Sequence, residues 1–206
     1  MSGYHYLVAQ LPYLNYGQPA PMTPKEFKDL CAGILDEKDT ALLELCSLNP
    51  TPAESKNDSP QGDKPSFAEP PKPCASDFIN DWRIWNRALR LHLARYRAQK
   101  LKWDGGAPVD PPENPMDAAS AAKTAVLIES PMEAELFIDQ ARWNVIENLQ
   151  GLQYFSSSTI YGYLLKLLLM ERRALFRVEE GFAEYKGLYS AILAGASTSD
   201  ESGVPK

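Results

Sequence analysis

The stretch YGYLLKLLLMERRALFRVEEGFAEYKGLYSAI, from Tyr161 to Ile192, decides the fold of this chain. At alternating steps of three and four its residues are apolar except for one acid, which is the spacing of a single stripe along an α-helix. The members of this stripe are Tyr161, Leu164, Leu168, Glu171, Leu175, Val178, Phe182, Tyr185, Tyr189 and Ile192. A second apolar row widens the first half and contains Ile160, Leu167, Met170 and Ala174. We therefore expect a long helix whose first half lies deep in a helical core, with its charged residues, including Lys166, in solvent.

Length, charge and cysteine content narrow the class of protein. The 206 residues suffice for one sizeable core or two small ones. A net charge of -6 argues against general nucleic-acid binding, because phosphate contacts need a basic surface. Cys31, Cys46 and Cys74 lack CxxC spacing, which favours reduced thiols in the cytoplasm. The first residues lack the basic start of a signal peptide, and no apolar run reaches the roughly 20 residues of a spanning helix. The sequence predicts a cytoplasmic protein without direct membrane insertion.

Residues 1–48 are predicted to form an N-terminal segment and a helical hairpin. Residues 4–14 are rich in aromatic and aliphatic side chains, but their spacing suits a short helix and a strand equally well. Thr23, Pro24 and Glu26 form a capping box with proline at the first helical position, so a helix should begin there. A second short helix should follow. The side chains that we expect it to bury are Leu42, Leu43, Leu45 and Cys46.

The composition changes sharply in residues 49–76. Seven prolines stand among Ser, Lys, Asp and Gly, and Phe67 is the only large apolar residue. Because so few apolar side chains cannot offset the entropy of ordering, this segment is predicted to be a disordered linker or insertion. The main helical domain then spans residues 77–194, and residues 195–206 form a polar, flexible tail. Within this domain, Ser130 and Pro131 mark the start of one helix, after an alanine-rich helix.

A tryptophan-rich helix is predicted to begin near Asp77 and to end at about Lys102. Its apolar stripe consists of Phe78, Trp82, Trp85, Leu89, His92, Tyr96, Gln99 and Trp103, and implies a large buried area. Another face carries four arginines, namely Arg83, Arg87, Arg90 and Arg97. Two interpretations of this face remain open. It is either a solvated surface that pairs with acidic segments of the same chain, or a docking surface for an acidic partner protein.

The sequence offers no constellation of catalytic residues. It has no phosphate-binding glycine loop, and its two histidines, His5 and His92, lack the spacing of metal ligands. We therefore expect no enzyme activity and no catalytic, cofactor-binding or metal-binding residues. His92 and Glu171 are candidate buried polar residues, because each falls on an apolar stripe, and they would pair if the two long helices pack together. The alternative for Glu171 is that its helix turns there and the carboxylate reaches water.

Four segments together resemble a small bacterial family whose genes lie in operons for rotary V/A-type ATP synthases. They are YHYLVAQLPYL (4–14), TPKEFKDLC (23–31), DFINDWRIWNRALRLHLARYRAQKL (77–101) and IYGYLLKLLLMERRALFRVEEGFAEY (160–185). Their helical, arginine-bearing character is similar in kind to the funnel-shaped helical component of these synthases that joins the central stalk to the membrane rotor ring.

The resemblance implies an all-α, multi-helix protein that acts as a non-catalytic subunit or assembly factor of such a synthase. Its partners would be stalk or rotor subunits, which would hold it at the membrane through the complex. The four arginines would be its contact surface. The alternative that we retain is a free-standing cytoplasmic helical adaptor protein.

Overall fold

The described part of the chain is entirely helical. The computed structural model describes residues 3–49, 72–103, 117–152 and 154–176, and these form seven helices and no strand. In chain order the helices are α1 (Gly3–Gln10), α2 (Pro24–Ala32), α3 (Glu37–Glu44), α4 (Asp77–Lys100), α5 (Ala118–Leu127), α6 (Pro131–Gln150) and α7 (Ser157–Ala174). The described residues up to Glu171 form one compact unit, and residues 172–176 belong to another. The predicted all-α, multi-helix fold is confirmed.

Short-range signals set several helix ends. The Thr23 hydroxyl accepts from the Glu26 amide at 3.2 Å, and the Glu26 carboxylate accepts from the Thr23 amide at 2.8 Å. The Ser130 hydroxyl caps α6 in the same way, by accepting from the Glu133 amide at 3.3 Å. Gly151 ends α6 with a positive φ of 56°. These predicted starts and this predicted stop are confirmed.

The helices α4, α5 and α6 pack against one another. Arg97, near the end of α4, pairs with Glu135, near the start of α6, so these two helices run in opposite directions. A turn of three residues, 128–130, joins α5 to α6, and α5 therefore runs in the same direction as α4. The α5 residues Ala118, Ala122 and Ala125 are buried, and their small side chains allow the helices to approach closely.

Helix α7 is buried on nearly every side over residues 160–170. Tyr161 lies 6.5 Å from Phe78 of α4, and Tyr163 lies 4.9 Å from Phe27 of α2, measured between ring centroids. The expectation that the first half of this helix lies deep in the core is confirmed. The expectation that Lys166 is solvated is wrong, since its side chain is only 13% exposed beneath α6. The predicted continuation beyond residue 176 lies outside the described residues.

The N-terminal helices cover one side of the core. For residues 4–14 the sequence left a helix and a strand open, and the structure shows a helix, α1, over residues 3–10. Phe27 and Cys31 of α2 are fully buried, and Leu43 and Cys46 are almost fully buried. Leu45 was expected to be buried and is exposed. The buried Leu43 and Cys46 are three residues apart and share a face. Leu45 lies two residues after Leu43 and one before Cys46, so it does not share that face.

The end of α4 differs from the prediction. The helix stops at Lys100, and Lys102 adopts the left-handed conformation with φ of 50°. The Trp103 amide then bonds the Ala98 carbonyl at 3.1 Å, and the Lys102 amide bonds the Gln99 carbonyl at 3.2 Å, which is the Schellman pattern. Trp103 is 71% exposed, so the prediction that the stripe buries it was wrong.

Three predictions fall on residues that the structure does not describe. They are the disorder of most of residues 49–76, the loop around residues 104–115 and the flexible tail of residues 195–206.

Candidate interaction surface

Two of the four arginines bind the chain on either side of residues 50–71, which make up most of the proline-rich segment. The Arg90 guanidinium donates to the Leu48 carbonyl at 2.7 Å and to the side-chain oxygen of Asn49. The Arg83 guanidinium donates to the Lys72 carbonyl at 3.2 Å. Residues 50–71 lie between these attachment points in the sequence, so α4 holds both ends of that segment.

Other polar groups of α4 complete this attachment. The side-chain amide of the buried Asn86 donates to the Leu48 carbonyl at 2.9 Å, and the Trp82 indole donates to the Ser47 carbonyl at 3.2 Å. The Asn80 side chain bonds both the amide and the carbonyl of Cys74, each at 2.8 Å. We call Asn80, Trp82, Arg83, Asn86 and Arg90 the α4 clamp. This clamp was not predicted from the sequence. The available signal was the position of Asn80 and Asn86 close to Trp82 and Trp85, because a side-chain amide in a buried region needs a backbone partner.

The remaining two arginines lie elsewhere on α4. Arg87 is half-buried, and Arg97 is exposed and pairs with Glu135 at 3.5 Å. Arg83 and Arg97 are separated by 14 residues, or about 21 Å along the helix. The four arginines therefore do not form one uniform exposed face. That they bind a partner stays a prediction.

The two candidate buried polar residues differ in their surroundings. His92 is half-buried, and the described residues offer its buried Nδ1 no hydrogen-bond partner. Burial lowers the pKa of His92, and the charge of Arg95 lowers it further. Glu171 is exposed, so its predicted burial and pairing with His92 were wrong, and the alternative that it reaches water is confirmed. The reason is that the enclosed part of α7 ends at Met170.

Helices α6 and α7 carry charged groups at buried positions, namely Asp139, Arg142 and Lys166, which periodicity did not predict. The Glu147 carboxylate accepts from the Trp143 indole at 2.9 Å and from the Lys166 ammonium at 3.2 Å. The Lys166 ammonium also lies 5.0 Å from the centre of the Trp143 ring, a cation–π contact. Burial lowers the pKa of Lys166, while the charge of Glu147 acts in the opposite direction. Asp139 and Arg142 form a second, buried ion pair at 2.8 Å.

A carboxylate between two tyrosines joins three helices. Asp39 of α3 accepts hydrogen bonds from the hydroxyls of Tyr4 of α1 and Tyr161 of α7, the latter at 3.0 Å. Burial, the hydrogen bond and the negative charge of Asp39 raise the pKa of Tyr4 to about 12. The same causes raise the pKa of Tyr161. Both hydroxyls therefore stay protonated at neutral pH, and the cluster acts as a structural connection.

The described residues contain no set of three or more His, Cys, Asp or Glu side chains placed to hold a metal ion. A cleft of about 250 Å³ lies between α4, α5 and α6, with Trp85 and Phe137 beside Ser120, Thr124 and Asn144. Sites for small molecules typically measure about 300–1,000 Å³. The cleft by itself does not define a ligand.

No known protein family, curated protein or solved structure matches this chain. Among the helices that the structure describes, none combines the length and the apolar character needed to cross a membrane. The candidate site must therefore be assessed from its own residues.

The α4 clamp predicts a difference between two arginines of the same helix. Arg90→Ala removes charged hydrogen bonds to Leu48 and Asn49, and should lower the free energy of unfolding by about 1–3 kcal/mol. Arg97→Ala removes only an exposed ion pair and should cost under about 1 kcal/mol. Urea unfolding of both variants measures these costs. Equal costs for the two variants would contradict the clamp.

The cluster around Asp39 predicts a pH dependence at the alkaline end. The pKa of Tyr4 is higher in the folded protein than its ordinary value of 10, so its contribution to stability is complete below pH 10. That contribution is lost as pH rises toward 12. In the Tyr4→Phe variant the free energy of unfolding should therefore fall less steeply between pH 10 and 12. The difference in slope should be at most about 1.4 kcal/mol per pH unit, which corresponds to one proton.

The control for this experiment is Tyr6→Phe. Tyr6 lies on the same helix but is largely exposed, so its removal should leave the slope unchanged. The thiols of Cys31 and Cys46 also have pKa values raised by burial, to about 11 and about 12, and add the same background to every variant. Identical slopes for Tyr4→Phe and Tyr6→Phe would refute the assignment.

Proposed function

We propose that this protein is a non-catalytic subunit or assembly factor of a rotary V/A-type ATP synthase, and that it acts through contacts between its helices and stalk or rotor subunits. The proposal starts from the four sequence segments that resemble the family encoded in such operons. A supporting observation is that these segments pack together. Tyr161 of α7 contacts Phe78, Tyr163 contacts Phe27, and the Tyr163 hydroxyl donates to the Pro12 carbonyl at 2.9 Å.

This packing indicates which part of the protein the residues of the four segments build. Most of the described aromatic residues of the four segments belong to one core, whereas Tyr6 and Tyr13 are exposed. A pattern that specifies a helical core does not by itself define a function, which has to come from the surface that the core supports.

The four arginines of α4 differ in how well they would serve as a contact surface. Arg83 and Arg90 belong to the α4 clamp, so changing them would disturb the fold as well as any interface. Arg87 and Arg97 lie outside the clamp, and Arg97 is exposed. We therefore assign the contact with an acidic partner to Arg87 and Arg97. Charge complementarity of this kind governs the specificity and the rate of association.

The test is affinity purification of the tagged protein from native membranes in mild detergent, followed by mass spectrometry. Near-stoichiometric recovery of ATP synthase subunits would support a permanent subunit, and substoichiometric recovery with assembly intermediates would support an assembly factor. Recovery of unrelated proteins alone would overturn the proposal and favour a free-standing adaptor.

A charge-reversal pair then tests the surface. The double variant Arg87→Glu and Arg97→Glu should weaken copurification by about tenfold, equivalent to about 1.4 kcal/mol. The matched control is Lys28→Glu, which reverses one partner of the exposed Lys28–Glu44 ion pair on α2 and α3. It should leave copurification unchanged. Undiminished recovery with the double variant, in a protein that still unfolds cooperatively, would rule out this surface.

A further inference from the structure

The two ends of the packed helices α4, α5 and α6 both expose large apolar side chains. At one end are Leu101, Trp103 and Leu127, which are 74%, 71% and 71% exposed. At the other end, after α6, are Leu152, Tyr154 and Phe155. The 20 residues of α6 separate the two ends by about 30 Å. The protein thus offers an internal comparison between two exposed apolar sites.

Exposed lysines distinguish the two ends. Three of them lie at the first end, which also carries the exposed acids Glu129 and Glu133. Lys100 and Lys102 flank Leu101, and the Lys100 ammonium donates to the Val126 carbonyl at 2.8 Å, which joins the ends of α4 and α5. Lys123 is exposed one turn before Leu127 on the same face of α5. Residues 148–158 contain no lysine or arginine. We call Lys100, Leu101, Lys102, Trp103, Lys123 and Leu127 the Trp103 tip.

The backbone holds the Trp103 tip in place. The Schellman bonds described above order the chain up to Trp103, and direct its side chain into solvent. The left-handed position within this motif is usually glycine, because a side chain there is strained. Here the residue is Lys102, whose backbone is therefore strained. Its charged side chain lies in the sequence between the apolar residues Leu101 and Trp103.

We propose that the Trp103 tip docks on the surface of an anionic lipid membrane. Trp103, Leu101 and Leu127 would enter the boundary between headgroups and acyl chains, where tryptophan is favoured, and the three lysines would lie against lipid phosphates. Each lysine near such a surface contributes about 1 kcal/mol, equivalent to about fivefold in binding. The proposal concerns adsorption to one surface and requires no spanning helix.

The chemistry favours a membrane over a protein partner. The apolar side chains project from helix ends, and lysines alternate with them in the sequence KLKW of residues 100–103. Lysine is depleted from protein interfaces, whereas interfacial membrane segments combine tryptophan and leucine with lysine. This inference does not rest on the proposed ATP synthase role, because the vesicle experiment needs no other protein.

Tryptophan fluorescence of the full-length protein tests the proposal. The chain has four tryptophans, and Trp82, Trp85 and Trp143 are buried, so acrylamide quenches mainly Trp103. Vesicles of phosphatidylglycerol and phosphatidylcholine in equal amounts should shift the emission to the blue and protect it from acrylamide. Phosphatidylcholine vesicles should not. Added salt should reverse the effect, since it screens charges beyond about 10 Å at 0.1 M.

Three variants define the residues that bind, with cosedimentation as the measurement. Trp103→Ala and the double variant Lys102→Glu and Lys123→Glu should each reduce binding to anionic vesicles by at least about tenfold. Lys102→Gly should reduce it by about fivefold while the melting temperature stays equal or rises, because glycine relieves the left-handed strain. That opposite change in stability separates lost binding from lost folding.

Leu152→Ser is the matched control, because it removes an exposed leucine from the end that lacks lysines. It should bind vesicles like the unchanged protein. Failure of the unchanged protein to bind anionic vesicles would overturn the proposal, as would equal binding by the Trp103→Ala variant. If the tip variants lose a protein partner while vesicles leave the protein in solution, the tip is a protein-docking surface and the membrane assignment is wrong.

Discussion

The burial of α7 on nearly every side is the constraint on which the rest of the structure depends. A helix that is apolar around its whole circumference must be enclosed, because water would otherwise meet a large apolar surface. Its few polar groups must then find partners inside the protein. The hydroxyl of Tyr161 donates to Asp39, that of Tyr163 to the Pro12 carbonyl, and the ammonium of Lys166 to Glu147. Each bond ties a different part of the chain to the central helix.

Helix α4 has a different task from α7. Its tryptophan side joins the core, while its polar groups bind the chain next to residues 50–71 and its far end carries the Trp103 tip. One helix thus connects three features: the core, both ends of the proline-rich segment, and an exposed surface of apolar and basic residues. This division explains why the arginines of one helix cannot be treated as one surface. Those of the clamp bind the backbone next to residues 50–71, and Arg97 is exposed and pairs with Glu135.

The sequence predicted features that depend on neighbouring residues, and failed where a distant contact decides. The Thr23 and Ser130 caps, the Gly151 stop and the apolar rows of α7 as far as Met170 are local or periodic signals, and these were confirmed. The rows fail at Ala174 and Leu175, which are exposed, and their members from Val178 onward lie outside the described residues. Lys166 lies off the main apolar stripe and carries a charge, and only the position of Trp143 and Glu147 explains its burial. Trp103 continues a regular apolar stripe in the sequence, but α4 ends before it because Lys102 adopts the left-handed conformation. A glycine at this position would have indicated the end of the helix, and a lysine does not. The α4 clamp was missed because its partners lie up to 42 residues away in the sequence.

Native-state hydrogen exchange tests the central role of α7 most directly. If the helix is the enclosed centre of the fold, its amides from Ile160 to Met170 should exchange only through global unfolding. Their free energy of opening should then equal that measured by urea. The result that would contradict this account is an opening of these amides at a lower free energy than those of α4 and α5. The centre of the structure would then be the packing of α4, α5 and α6, with α7 added to it.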